Sequence, residues 1–174
     1  MLKKIVILDK DGVINIDTHY PYKIEEIVFL PNIFKICRYL NNLNYEIVVI
    51  TNQSGIGRGY FSTQDFLTLR DWMILEFEKQ NIKILEFLHC PHKPSDNCSC
   101  RKPNTALYEY ISERYCIDKS KSWAIGDKPS DIIAAKNYGI DKTVLISNDQ
   151  VEETTIENFY RIHDLVEIKD IIKS

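Results

Sequence analysis

The stretch Ile5-Val6-Ile7-Leu8-Asp9-Lys10-Asp11-Gly12-Val13 places four consecutive apolar residues directly before two aspartates, one residue apart, and a glycine. An apolar run closed by polar residues and glycine reads as a buried parallel strand, and open α/β sheets bind ligands beyond the carboxyl ends of such strands. Two carboxylates therefore leave the strand where chemistry is expected. Like charges this close repel, which calls for a bound cation, a proton held on one partner, or both. Asp9 and Asp11 are thus candidates for a metal-assisted nucleophile and an acid/base. On these residues alone, a strand ending in an Asp-Gly turn is the plain alternative.

Working outward, apolar β-type runs recur at Ile5 to Leu8, Ile47 to Ile50, Ile84 to Leu88, Trp123 to Ile125 and Thr143 to Ile146. Helical patterns lie between most of them: Pro31 to Leu43, Phe66 to Glu78 capped by Ser62-Thr63, Asn104 to Tyr115, and Ser130 to Tyr138 stopped by Gly139. Alternation of this kind implies an α/β fold, a parallel sheet with right-handed crossovers. A short strand around Phe159 to Ile162 and a helix from Asp164 to Ile172 are expected in the tail. No internal repeat, linker or low-complexity segment interrupts the pattern, so residues 1–174 are expected to form one domain.

The formal net charge of -3 gives no electrostatic case for general nucleic-acid binding. No apolar stretch approaches a membrane span, and Met1-Leu2-Lys3-Lys4 runs straight into the first strand without a signal-peptide pattern. The expectation is a cytoplasmic protein with no membrane partner, and a monomer. Cys37 and Cys116 lie in apolar helical patterns and are expected in the core. The other three cysteines cluster as Cys90, Cys98 and Cys100, which in a reducing compartment points to metal rather than disulfides.

Two connections are long for their position, residues 14–30 and 89–103, and long βα connections in a compact domain usually carry function. The second strand runs into Thr51-Asn52-Gln53-Ser54-Gly55-Ile56-Gly57-Arg58-Gly59, a hydroxyl, an amide and a glycine-rich loop suited to turning N–H groups toward an anion. Its glycine spacing and its place after the second strand exclude the dinucleotide fingerprint. Arg101-Lys102 precedes a helix: Lys102 offers a point charge to a phosphoryl group, and Arg101 a bidentate grip on a second anion. The fourth run ends Gly126-Asp127-Lys128-Pro129-Ser130-Asp131, an acidic strand end with a second aspartate at a helix start.

Cys90-Pro91-His92 and Cys98-Ser99-Cys100 supply three thiols and an imidazole within one loop. Four such ligands suit tetrahedral Zn²⁺ with no open position, hence a structural site that stiffens the loop beside Arg101 and Lys102. Of the remaining histidines, His89 reads as a strand-end residue, His163 as a surface residue, and His19 as a substrate contact in the first long loop.

An Asp-x-Asp strand end, a Thr strand end, a lysine and an acidic strand end, in that order, resemble the four motifs of the haloacid dehalogenase-like phosphatase superfamily over essentially the whole chain. The resemblance implies a Rossmann-like parallel sheet with helices on both faces and no cap domain. It also implies that Asp9 attacks phosphorus, that Asp11 protonates the leaving alkoxide and later activates water, and that Thr51 and Lys102 hold the phosphoryl oxygens. Asp9, the backbone carbonyl of Asp11 and Asp127 would bind Mg²⁺, with Asp131 close by or supporting through water.

The zinc loop is similar to that of the subgroup acting on heptose bisphosphate and histidinol phosphate, and the segments 12–17, 51–59 and 126–128 are more similar to the heptose enzymes. This implies a small phosphorylated sugar as partner, with Arg58 and Arg101 for the second phosphate. Asp17, Thr18, His19, Tyr20, Thr51, Asn52, Gln53, Ser54 and Lys128 would be further contacts. Two departures stand out: Lys10 where many relatives have Arg, and a stretch from His92 to Cys98 whose shortness resembles the histidinol group. Histidinol phosphate is the alternative substrate, and a zinc-stabilised phosphate-binding module the alternative class.

Overall fold

A computed structural model describes residues 2–147 and 156–173. Six parallel strands, β1 (Lys4–Leu8), β2 (Tyr45–Asn52), β3 (Ile84–Cys90), β4 (Trp123–Gly126), β5 (Thr143–Ile146) and β6 (Tyr160–Ile162), form one sheet in the order β3-β2-β1-β4-β5-β6. The chain reverses its direction of sheet growth between β1 and β4, which opens a crevice at their carboxyl ends.

The helices are α1 (Ile33–Asn42), α2 (Ser54–Gly57), α3 (Thr63–Lys79), α4 (Ala106–Arg114), α5 (Pro129–Tyr138) and α6 (Ile168–Ile171). Because side chains alternate across a strand, β1 sends Val6 and Leu8 to one core and Ile5 and Ile7 to the other. The first core packs Ile36 and Leu40 of α1, Phe66, Leu69 and Phe77 of α3, and Ile168 of α6. The second packs Tyr108 and Ile111 of α4 with Ala134, Ala135 and Tyr138 of α5. Helices thus cover both faces, which is why the strands read as unbroken apolar runs.

Several local features follow from the residues present. Ser62 caps α3 reciprocally: its Oγ accepts the Asp65 N–H at 3.1 Å and its own N–H donates to Asp65 Oδ2 at 2.8 Å. Gly139 closes α5 at φ +101°, the left-handed conformation that glycine adopts without a Cβ penalty.

Some elements differ from expectation. The glycine-rich segment begins with one helical turn, α2, because the Arg58 N–H donates back to the Ser54 carbonyl at 3.0 Å. The tail helix is a 3₁₀ turn over Leu165–Glu167 leading into α6. Cys116 is exposed rather than in the core. Helix α4 ends at Arg114, and residue 116 sits in the connection whose backbone carbonyl accepts the Lys3 N–H at 2.8 Å, so the helical face expected to bury it does not extend that far. Cys37 is fully buried and His163 exposed, as expected.

Candidate active site and zinc cluster

The carboxyl ends of β1, β2 and β4 deliver the charged residues to one place. Asp9 follows β1, its N–H donating to the Ile125 carbonyl of β4 at 3.0 Å. Gly12 turns the chain at φ +88°, and a Cβ there would lie 2.3 Å from Asp127 Oδ2, so glycine lets the first loop pass directly against the end of β4. Gly126 likewise makes room: a Cβ on it would lie 2.2 Å from that of Asp131.

Carboxylate oxygens of Asp9, Asp127 and Asp131 lie within 4.8 Å of one another. Lys102, nearly inaccessible, reaches into this group from the 89–103 connection. Its ammonium donates to Asp9 Oδ1 at 2.6 Å and to the Ile50 carbonyl at 2.6 Å, and it forms an ion pair with Asp131 Oδ1 at 2.7 Å. Lys102, with Lys128 3.5 Å from Asp127 Oδ2, leaves the three carboxylates one positive charge short. Burial chiefly, with repulsion from Asp131, Asp127 and Asp11, pushes Asp9 up to about 7 although Lys102 pulls it down. Burial also lifts Asp127 to about 6, with Lys128 opposing and Asp131 adding to the rise. Asp127 Oδ1 is buried with no hydrogen-bond partner among the described residues. A hard divalent cation fits this donor set: it would supply the missing positive charge and a partner for Asp127 Oδ1. Burial alone would lower the Lys102 ammonium, but Asp131 and Asp9 outweigh it and hold the proton firmly.

Asp11 faces a different environment. Its Oδ1 accepts from Lys10 Nζ and, at 2.9 Å, from Asn15 Nδ2, while Oδ2 accepts from Gln53 Nε2 at 2.9 Å. The Gln53 amide also donates to Thr51 Oγ1 at 3.0 Å. Asp11 thus stands apart from the three-carboxylate group. Asn52 grips Lys102 by its backbone, its Oδ1 accepting the Lys102 N–H at 3.0 Å and its Nδ2 donating to the Lys102 carbonyl at 3.2 Å.

A cavity of about 320 Å³ opens over these groups, lined by Asp9, Asp11, Asp17, His19, Tyr20, Thr51, Asn52, Gln53, Ser54, Arg101, Lys102, Lys128, Ser130 and Asp131. Lys128 bridges the mouth to Asp17 at 3.2 Å. Burial raises the Asp17 carboxyl, but Lys128 and the His19 N–H outweigh it and hold the acid below its ordinary range. His19 and Tyr20 both sit at positive φ, 63° and 61°, a sparsely populated conformation for residues with side chains. Arg58 and Thr18 are not among the lining residues: Arg58 is exposed at the C-terminal end of α2, where its backbone caps the helical turn, and Thr18 lines an adjoining hollow with Pro21 and Tyr22. Ser130, which sequence reasoning did not select, lines the cavity from the first turn of α5, just after Pro129.

In the 89–103 connection, Cys90, His92, Cys98 and Cys100 converge. Neighbouring ligand atoms are separated by 3.2 Å (Cys100 to Cys90), 3.3 Å (His92 Nδ1 to Cys100), 3.5 Å (Cys90 to Cys98) and 3.6 Å (Cys90 to His92). The edges of a tetrahedral site with bonds of about 2.0 to 2.3 Å are only slightly longer, so the donors fit Zn²⁺ in number, type and spacing. The cluster is tied to the segments that line the cavity. The Cys90 carbonyl accepts the Gln53 N–H at 2.7 Å, the Pro91 carbonyl accepts the Gly57 N–H at 2.8 Å, and the His92 carbonyl accepts Arg101 Nη1 at 3.4 Å.

Comparison with known proteins agrees with this geometry. A family model described as HAD-hydrolase-like matches residues 99–169. The D-glycero-α-D-manno-heptose-1,7-bisphosphate 7-phosphatase of Campylobacter jejuni is 40% identical over 166 residues, covering 95% of each chain. The D-glycero-β-D-manno-heptose-1,7-bisphosphate 7-phosphatase of Haemophilus ducreyi is 37% identical over 153 residues, covering 84% of each. The crystal structure of D,D-heptose 1,7-bisphosphate phosphatase from B. bronchiseptica, complexed with magnesium and phosphate, superposes with a TM-score of 0.85 at 30% identity, covering 97% of each chain. A parallel sheet carrying Asp9, Thr51, Lys102 and Asp127 at its carboxyl edge, on a chain this similar end to end, belongs to the haloacid dehalogenase-like hydrolases, in the family of heptose-1,7-bisphosphate 7-phosphatases.

Proposed function

We propose that this chain is an Mg²⁺-dependent phosphatase that removes the C7 phosphate of D-glycero-D-manno-heptose 1,7-bisphosphate on a route to a nucleotide-activated heptose, a lipopolysaccharide or capsule precursor. The observation that carries the reading is Lys102 held between Asp9 and Asp131 at the end of the sheet, in a chain 40% identical to an enzyme of that name. All 174 residues are read as one phosphatase domain with its zinc loop at 90–100. A monomer in the cytoplasm fits it, because thiolate metal ligands persist in a reducing compartment.

Asp9 is the nucleophile. Its Oδ attacks phosphorus as the bond to the C7 oxygen breaks, giving an aspartyl-phosphate and splitting the hydrolysis into two easier displacements. Asp11 donates its proton to the departing alkoxide and then takes one from the water that displaces phosphate from Asp9. Thr51 Oγ and the Lys102 ammonium hold the equatorial phosphoryl oxygens. Asp9, the Asp11 carbonyl, Asp127 and Asp131 would hold Mg²⁺, whose charge offsets repulsion between an anionic nucleophile and an anionic ester when it is bound. Arg101 grips the second phosphate, with Lys128, Asp17, His19 and Tyr20 at the mouth and Asn52, Gln53 and Ser54 along the floor. Arg58 and Thr18, off the cavity, would take part only through a longer substrate.

The test is a phosphate-release screen with both heptose bisphosphate anomers and histidinol phosphate, run on the wild type and Asp9→Asn. Release from a heptose bisphosphate by the wild type, and none by a folded Asp9→Asn, is expected. Preference for histidinol phosphate by kcat/KM would sink the substrate assignment, and turnover by Asp9→Asn would sink the mechanism.

A further inference from the structure

We propose that Lys10, Asn15 and Gln53 are positioning residues that hold Asp11 so that only Oδ2 is free to carry the transferable proton; this rests on the acid/base role of Asp11 given above. Lys10 and Asn15 are fully buried and Gln53 almost so. A lysine is rarely buried unless it is paired, and the ammonium of Lys10 pairs with Asp11 Oδ1 while its neighbour Asp9 is served by Lys102. The two aspartates therefore have separate cations.

The pattern of donors decides which oxygen does the work. A carboxylate oxygen has two lone pairs. Those of Oδ1 are filled by Lys10 Nζ and Asn15 Nδ2, whereas among the described residues Oδ2 accepts only Gln53 Nε2 and keeps one lone pair, on a side chain that lines the cavity. Asn15 is itself held, its Nδ2 donating also to the Ile16 carbonyl at 2.9 Å and its backbone carbonyl accepting the Gly12 N–H at 2.7 Å. Gln53 spends its two amide protons on Asp11 and Thr51, so the proton donor and the phosphoryl-holding hydroxyl are set by one side chain. In the first displacement the proton on Oδ2 goes to the leaving oxygen as the P–O bond breaks and the Asp9–P bond forms. In the second, Oδ2 takes a proton from water as the water oxygen bonds to phosphorus and the Asp9–P bond breaks. Reorienting Asp11 therefore impairs alkoxide departure and water attack, but leaves Asp9 and Lys102 in place.

That separation gives a test. p-Nitrophenolate leaves without a proton, so with p-nitrophenyl phosphate the first displacement does not need Asp11 while the second does. In Lys10→Met, steady-state turnover of the heptose bisphosphate is expected to fall by roughly 30- to 100-fold with little change in KM. The pre-steady-state release of p-nitrophenolate should stay within about threefold of wild type and approach one equivalent per site, because phosphorylated Asp9 accumulates. Lys10→Arg, which keeps the buried cation, should restore turnover. If Lys10→Met does not fold by circular dichroism, Asn15→Leu, which deletes a neutral amide bonded to Asp11 Oδ1 and the Ile16 carbonyl, is held to the same pattern. A burst that falls in parallel with turnover, or turnover that does not fall, overturns the proposal. Wild-type protein that cleaves p-nitrophenyl phosphate but spares the heptose bisphosphate would sink the substrate assignment instead, and the burst comparison would still judge Lys10.

Discussion

Lys102 Nζ stands 2.6 Å from Asp9 Oδ1, both side chains almost entirely removed from solvent. Breaking a buried ion pair from one side leaves an uncompensated charge and costs about 3–5 kcal/mol. Lys102→Met is therefore expected to lower the Tm of the metal-free protein strongly, since Asp131 loses the same partner. Mg²⁺ should raise the Tm of the variant more than that of the wild type, while turnover stays at background. Equal Tm values by calorimetry without metal would contradict the electrostatic account.

Mg²⁺ binding is expected to strengthen as pH rises from about 5 to 7.5 and to release protons. The shifts behind this are Asp9 raised to about 7 and Asp127 to about 6, each from an ordinary 3.8. The folded, metal-free protein then binds more protons than the unfolded chain across that window, so these groups make stability fall as pH rises through it. A cation that displaces the protons reverses the trend. Titration calorimetry in buffers of different ionisation enthalpy measures the released protons, and a pH-independent affinity would refute the assignment of these carboxyls as ligands.

Removing zinc is expected to reduce turnover as well as stability. Metal analysis should find about one tightly held zinc per chain. Cys100→Ala, or a strong chelator, should lower the Tm by several degrees and lower kcat, because Arg101 and Lys102 follow the cluster directly. Complete metal loss with unchanged Tm and kcat would rule out this role for the loop.

Arg101 is expected to separate the two phosphates of the substrate. Arg101→Met should raise KM for the bisphosphate by about 10- to 100-fold, the cost of about 1.5–3 kcal/mol for a hydrogen bond to a charged group. Hydrolysis of p-nitrophenyl phosphate, which has no second anion, should change little. Equal losses on both substrates would place Arg101 at the transferred phosphate.

The strand ends were legible because each is an apolar run stopped by the residue that matters: Leu8 before Asp9, Ile50 before Thr51, Ile125 before Gly126-Asp127. The cysteine and histidine spacing was equally readable, because one loop supplies all four ligands. What escaped reading depended on side-chain direction across distant segments. Asn52 is adjacent to Thr51 in sequence, but its hold on the backbone of Lys102, fifty residues on, is visible only once β2 and the 89–103 connection meet. Arg58 shares a glycine-rich segment with cavity residues, but the turn of α2 carries it away. Cys116 was misread because an apolar helical period does not announce where the helix stops, and α4 stops two residues earlier.

The backbone bonds that join Cys90 to Gln53 and Pro91 to Gly57 have a physiological corollary. On the proposed zinc site, the thiolates that hold the metal are also the support of the segment that orients Asp11 and Thr51. An electrophile or oxidant that reaches Cys98 from outside, without ever entering the catalytic cavity, would then act as an inhibitor. Heptose supply would become answerable to zinc availability and to thiol oxidation, two conditions with no chemical part in phosphate ester hydrolysis.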